Sequence, residues 1–341
     1  MLKTRLKEIW TALRIPQRLK VLLRPWPRFR RAINSWPRLI LLLLAAFIFL
    51  YYPLGALISE DIDTNTDYEI TRHGHKSATI ETMSFLIRRE VYNKSWTPGL
   101  PFIFPAYMLD NMPAFQLGLM SSISTLSKAF AARLDKDTAE ADKAPLQNAA
   151  QLLQYPGTIW MFSPTNKLVP APSSNSQYRR ARKQLQNYNN LLAEGGAVFD
   201  TSAANLEYFL KVVKNDLQKN NRRLEAHIRE NSSSLYDGKA DDLFYYSRGK
   251  LYSYYLLLKA LSYDYKDVIL ERNIYQPWTS MLKALENAAR LSPTIVRNGE
   301  PDSTLAPNHL AAQGFYAGKA ISTLQNMISA LNQPTPDGVR K

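Results

Sequence analysis

Cysteine is absent from this 341-residue chain, and histidine occurs only four times. That removes disulfide frameworks, cysteine-built zinc or iron–sulfur sites and thiol nucleophiles from consideration. No Gly-rich phosphate loop, His-Glu-x-x-His or Gly-x-Ser-x-Gly run occurs, so nucleotide hydrolysis, zinc proteolysis and α/β-hydrolase chemistry lack their usual parts. Sustained period-2 alternation is also missing, which argues against a sheet. What is present is 45% apolar and 21% charged residues, too apolar for a wholly disordered chain and long enough for one large domain or two small ones.

With 43 Lys and Arg against 29 Asp and Glu the net charge is +14, which looks like a nucleic-acid signal until it is located. Residues 1–38 hold eleven basic side chains against the single acid Glu8, a net +10, leaving +4 for the other 303 residues. The excess belongs to an arm. Directly after Arg38 comes a twenty-residue apolar run, 39–58, with no charge and no Asn, Gln or His. As a helix rising about 1.5 Å per residue it spans roughly 30 Å, the thickness of a bilayer's hydrocarbon core. A cleaved signal peptide has a shorter apolar region and a small-residue exit, and here Tyr51, Tyr52 and Pro53 stand where small residues would be needed. The reading is therefore an uncleaved anchor bounded by Leu39 and Ile58, with Tyr51 and Tyr52 at the interface and Pro53 kinking or ending the helix. Basic residues precede the span, and Glu60, Asp61, Asp63, Asp67 and Glu69 follow it. This charge step predicts a cytoplasmic N-terminus and an outer C-terminal domain.

Within the arm, Leu2, Leu6, Ile9, Trp10 and Leu13 recur at helical spacing among basic residues, as in a short amphipathic helix lying in lipid headgroups. Arg24, Arg28, Arg30, Arg31 and Arg38, interrupted by Pro25, Pro27 and Pro37, are read as lipid-facing. Nucleic-acid binding through Trp26, Trp36 and the arginines is the disfavoured reading.

Beyond an acidic linker at 59–75, helical patterns run over 77–93, 112–134, 144–153, 176–192, 201–230, 240–262, 265–291 and 307–332. An all-α bundle of seven or eight helices over 76–332, with a flexible tail at 333–341, is the expected architecture. Asp200 or Thr201 is the expected cap of the 201–230 helix, and Asn308 or His309 is placed to satisfy backbone groups of the last one. In that last helix Leu310, Gly314, Ala317, Ile321, Leu324, Ile328 and Leu331 form a seam for close packing. The proline- and aromatic-rich connections near 96–113 and 155–175 are expected to fold back as ordered plugs. Contact of residues 100–108 with the outer face of the membrane that the anchor crosses is the alternative.

No catalytic set assembles from spacing alone. His73-Gly-His75 is read as solvated linker rather than metal site, and His227 as a surface residue. The densest polar and aromatic cluster runs from Lys239 to Tyr255, where Asp241, Tyr245, Arg248 or Gly249, and Tyr252 fall near one helical stripe. With Asp242, Asp302 and His309 they form the candidate polar cluster. Asp241 and Asp302 would supply acid and base if the domain cut cell-wall glycan. A structural hydrogen-bond network is the preferred reading, and no catalytic, metal-binding or cofactor-binding residue is assigned.

Several segments resemble one family. They are Trp96-Thr-Pro-Gly-Leu-Pro101, Leu109-Asp-Asn-Met-Pro-Ala-Phe-Gln-Leu-Gly118, Tyr155-Pro-Gly-Thr-Ile-Trp160, Gln177-Tyr-Arg-Arg-Ala-Arg182, Ala240-Asp-Asp-Leu-Phe-Tyr245, Gly249-Lys-Leu-Tyr252, Asn298-Gly-Glu-Pro-Asp-Ser303 and Pro307-Asn-His-Leu-Ala-Ala-Gln-Gly-Phe-Tyr316. The family is one of uncharacterised single-pass inner-membrane proteins of proteobacteria. The resemblance implies a Gram-negative envelope protein and supplies no activity, substrate or catalytic residue. Taken together, the residues predict an interaction or scaffold component of the cell envelope, anchored in the inner membrane with its bundle in the periplasm. Its expected partners are the bilayer and other envelope proteins. A membrane-tethered peptidoglycan enzyme using paired carboxylates is the alternative.

Overall fold

The computed structural model describes residues 36–70, 74–134, 139–162, 169–231, 237–293, 295–299 and 308–333. Among them are ten α-helices and no strand, the only β-type pairing being isolated bridges between Phe162 and Pro170 and between Asn298 and Asn308. The chain divides into a unit ending at Gly55 and a second beginning at Ala56.

Helix α1, Trp36–Ser59, contains the apolar run and continues through Pro53 without ending there. It starts earlier than the expected 39 because Pro37 falls in the first turn, where its missing N–H is not needed. Leu41, Phe47 and Phe49 are exposed, and length and composition suffice to cross a bilayer, a test that a signal sequence also meets. Arg38 is exposed in its first turn; Arg24, Arg28, Arg30 and Arg31 lie outside the described residues.

The second unit contains α2 (Ala78–Arg88), a π-turn at Arg89–Asn93, a 3-10 turn at Pro105–Met108, α3 (Asn111–Ala131), α4 (Glu140–Leu153), α5 (Ser174–Glu194), α6 (Ala203–Asn231), α7 (Gly238–Asp264), α8 (Lys266–Glu271), α9 (Tyr275–Arg290) and α10 (His309–Leu331). That makes nine helices after α1, because the helix expected over 265–291 breaks at 272–274. The ring of Pro277 would clash with the carbonyl four residues back, that of Asn273. Asn273 instead takes a φ of 52°, a left-handed conformation that asparagine tolerates. The α6 cap also differs: Ser202 Oγ accepts the Asn205 N–H at 3.3 Å, while Asp200 serves the turn before it. Asn308 caps α10 as expected, accepting the Ala311 N–H at 2.8 Å.

Helix α7 is the axis of the bundle and packs against α2, α3, α6, α9 and α10. Every residue from 247 to 258 is buried, so the helix has no solvent face over three turns. Its closest crossing is with α3. A Cβ on Gly118 would fall 1.9 Å from the Tyr246 carbonyl oxygen, and one on Gly249 would fall 2.0 Å from that of Phe115. Two glycines, one from each helix, thus let the backbones touch. Ser122 Oγ donates to the Lys250 carbonyl at 3.2 Å one turn further along both chains, so α3 and α7 run parallel. In α10, Leu310, Ala317, Leu324, Ile328 and Leu331 are buried as the seam predicts, while Gly314 lies against Asn221 of α6.

The two proline-rich connections are plugs only in part. Trp96, Thr97 and Ile159 are buried, and Trp96 Nε1 donates to the Gly157 carbonyl at 2.8 Å. Beyond Gly99 the first loop turns outward, leaving Phe102, Ile103, Tyr107 and Met108 exposed. Met161 and Phe162 of the second are exposed beside it.

Candidate functional site: the seat of an extended strap

The stripe anticipated on α7 is longer than expected. At steps of four and three residues it reads Asp241, Tyr245, Arg248, Tyr252, Tyr255 and Lys259, one face of the helix. Against it lies residues 60–70, an extended strap with no regular structure of its own. An extended segment outside a sheet leaves its carbonyls without ladder partners, and here helix side chains supply the donors. Arg248 Nη2 donates to Thr64 Oγ1 at 3.1 Å, and Tyr252 OH donates to the Asn65 carbonyl at 2.8 Å. Tyr255 OH reaches the Thr66 carbonyl at 3.4 Å, and Lys259 Nζ the Tyr68 carbonyl at 3.1 Å.

Two further walls close the seat. From α9, Arg290 Nη2 donates to Thr66 Oγ1 at 2.7 Å, and that hydroxyl donates to Glu286 at 3.4 Å. From the π-turn side, Lys94 Nζ pairs with Asp61 at 2.9 Å and Arg89 with Asp63 at 3.5 Å. Tyr68 stacks on Phe85 of α2 with ring centroids 4.0 Å apart. Thr66 ends 4% exposed, so the acidic segment is not a free linker.

Arg89 also reaches behind the seat. Its Nε donates to Glu90 at 2.7 Å and its Nη1 to the Tyr252 hydroxyl at 2.7 Å. Gln116 Nε2 donates to the same Glu90 carboxylate at 3.2 Å, while its oxygen accepts the Thr97 N–H and hydroxyl. On the wider π-turn successive residues are separated by a smaller angle than on an α-helix, which lets Arg89 and Glu90 both point inward. Glu90 is fully buried, and it is paired with Arg89 and hydrogen-bonded by Gln116, as a buried carboxylate requires.

At the N-terminal end of α7 the stripe becomes acidic. Burial, then the charges of Asp110, Asp242 and Glu60, push the Asp241 carboxyl up to about 6. Asp242 is raised by burial and by Asp110, and the Tyr245 phenol by burial and by Asp241. An acid raised in the folded state disfavours folding when ionised. From about pH 4, the ordinary aspartate value, up to about 6 the native state holds the extra proton, and stability falls as pH rises. Two pKa units correspond to about 3 kcal/mol, but the group is half in water and screening reduces this to about 1 kcal/mol. Asp241→Asn is therefore expected to stabilise the bundle by about 1 kcal/mol at pH 7.5 and to do nothing at pH 4, read as urea midpoints at the two pH values. Equal effects at both would remove the electrostatic cause.

The remaining candidates go elsewhere. His309 Nδ1 accepts the Arg297 N–H at 3.0 Å and helps start α10, and burial then the Arg297 charge hold its imidazole below the ordinary value. His227 is not a surface residue: it is 8% exposed, with Nε2 2.6 Å from Asp237, which also accepts from Asn298 at 3.2 Å. Burial alone would raise the Asp237 carboxyl, but the bonds from His227 and Asn298 hold it below the usual range. Asp302 and His73 lie outside the described residues, and among those residues no three metal-ligating side chains converge.

Further charged groups inside the bundle escaped sequence reasoning, as Arg89 and Glu90 did. Lys250 Nζ meets Asp216 at 2.5 Å, with the Tyr254 hydroxyl on the same oxygen at 2.6 Å. Asp264 accepts from the Ser77 and Thr79 hydroxyls and from the Ala78 and Thr79 amides, capping α2, and burial pushes its carboxyl upward despite these donors. Nearby, His75 and Lys76 line an open cavity of about 530 Å3, but Asp264 at its wall is already saturated by the cap.

The fold and the seat define an all-α bundle to which an extended strap, arriving from an apolar helix long enough to cross a membrane, is bound along one central helix. Two stretches, residues 101–237 and 228–333, match the family described as "Uncharacterized protein conserved in bacteria (DUF2333)", and the chain belongs to that family. No curated protein and no solved structure matches it.

Proposed function

We propose that this protein is a single-pass component of the bacterial inner membrane, with its N-terminal arm in the cytoplasm and its helical bundle in the periplasm. There the bundle acts as a scaffold that binds other envelope proteins. The observation that carries this reading is the seated strap. Residues 61–68 are held by Lys94, Arg89, Arg248, Tyr252, Arg290 and Lys259, so only residues 59 and 60 separate the apolar run 39–58 from the first held position. A tether this short suits a protein that presents a surface close to the membrane. The charge step across α1 supports the orientation.

The test is photo-cross-linking in living cells from residues placed at Phe315 and Tyr275, which are 70% and 54% exposed on different helices. The expected result is a discrete envelope-protein adduct from at least one position. Adducts with glycan strands alone, or with cytoplasmic proteins, would overturn the reading. A C-terminal reporter active only in the cytoplasm would reverse the orientation.

A further inference from the structure

We infer that the loop 100–109, with Trp160 and Met161 beside it, is a second membrane contact that enters the headgroup region of the bilayer crossed by α1. The inference rests on α1 being a membrane span. It begins with composition: from Ser95 to Leu109 no residue carries a charge, and the loop tip is aromatic and aliphatic. Phe102, Tyr107 and Met108 are 67%, 56% and 65% exposed, a concentration of apolar surface that water does not favour. Aromatic side chains of this kind prefer the membrane–water interface.

The loop is built for such a place. A loop that bonds part of its own backbone keeps a defined shape at an interface. Between 100 and 109, Leu100, Phe104, Tyr107 and Leu109 donate their N–H groups within the loop, and positions 101 and 105 are prolines with none to offer. The tip is also held in shape. Phe104 meets Trp160 edge-on at 5.9 Å, and Gly99, at a φ of 76°, lies so close to the Thr158 carbonyl that a Cβ would fall 2.0 Å from it.

Position supplies the occupant. The strap runs parallel to α7, with Thr64 at Arg248, Asn65 at Tyr252 and Tyr68 at Lys259. Followed backwards, it places Glu60 at the N-terminal end of α7, where Glu60 and Asp110 both act on Asp241. Asp110 caps α3, which runs parallel to α7 and is entered directly from the loop. The loop and the residue following α1 therefore share one end of the bundle. The apolar run of α1 stops at Ile58, two residues before Glu60, so chain connectivity keeps this end of the bundle within that short reach of the membrane interface.

The absence of native cysteine makes the test direct. Single-cysteine variants Tyr107→Cys, Met108→Cys, Phe47→Cys and Tyr263→Cys of the full chain are labelled with an environment-sensitive fluorophore and reconstituted into phosphatidylcholine vesicles. Some vesicles carry a nitroxide in the shallow acyl region. Tyr263 lies at the far end of α7 and reports water, and Phe47 reports the span. The expected result is quenching at 107 and 108 several-fold stronger than at 263. Quenching at 47 but not at 107 or 108 overturns the inference alone. A label at 107 shielded from water yet not quenched by lipid also overturns it, because a protein then covers the loop. Absence of quenching at 47 overturns the span itself, and the inference with it.

Discussion

Replacing Gly118 or Gly249 with alanine is expected to destabilise the bundle by about 3 kcal/mol or more, at the upper end of what overpacking costs. Each new Cβ would fall about 2 Å from a carbonyl of the facing helix, and no side chain can turn away to make room. α3 and α7 would have to separate along their shared length, opening the layer that holds Phe115, Leu119 and Leu251. For a domain of this size the melting temperature should drop by roughly 10 °C. The two substitutions should also be strongly non-additive, because the first to force the helices apart makes room for the second. Additive effects of less than about 1 kcal/mol each would mean that the helices do not cross where described.

The second large effect is expected at Asp264. Its carboxylate takes four hydrogen bonds from the start of α2, at 2.7 to 3.0 Å, with Ser77 and Thr79 almost wholly buried. Asp264→Ala leaves two hydroxyls and two amides unpaired at a helix N-terminus and removes the charge that faces the helix dipole. The expected cost is about 4 kcal/mol, read from urea midpoints of the full chain in detergent. Asp264→Asn keeps the volume but sets its NH2 against the Ala78 N–H that Oδ1 now accepts, or against the three donors on Oδ2, so it should fall between wild type and alanine. A loss below about 1 kcal/mol for Asp264→Ala would mean that water or another group replaces the carboxylate.

Much of the helical layout was legible because its cause is local: apolar spacing, caps and prolines act within a few residues. The α7 stripe was partly legible for the same reason, since Asp241, Tyr245, Arg248 and Tyr252 follow a helical step. Its partner was not. Residues 60–70 read as an acidic linker because charge composition dominates, whereas what holds them is a set of carbonyl acceptors, which every sequence possesses. The break at Asn273 was visible in Pro277 but was overridden by the continuous apolar pattern around it. Lys250 and Asp216 are 34 positions apart, and nothing in spacing pairs residues on different helices. The outward turn of the loop after Gly99 was hidden too, because an apolar, proline-rich segment has the same composition whether it covers the core or faces outward.

The seating of the strap is tested most directly by thiol reactivity in the otherwise cysteine-free chain. Thr66 is 4% exposed and its neighbour Asp67 is exposed, so Thr66→Cys and Asp67→Cys sample the two faces of one extended segment. In the full chain the cysteine at 66 should react with a water-soluble maleimide at least about 100-fold more slowly than that at 67, as local opening must come first. Adding Arg248→Ala and Tyr252→Phe, which removes two of the bonds that hold the strap, should narrow the gap. Equal, rapid reaction at both positions in the unmodified background would show a free linker and contradict the seat.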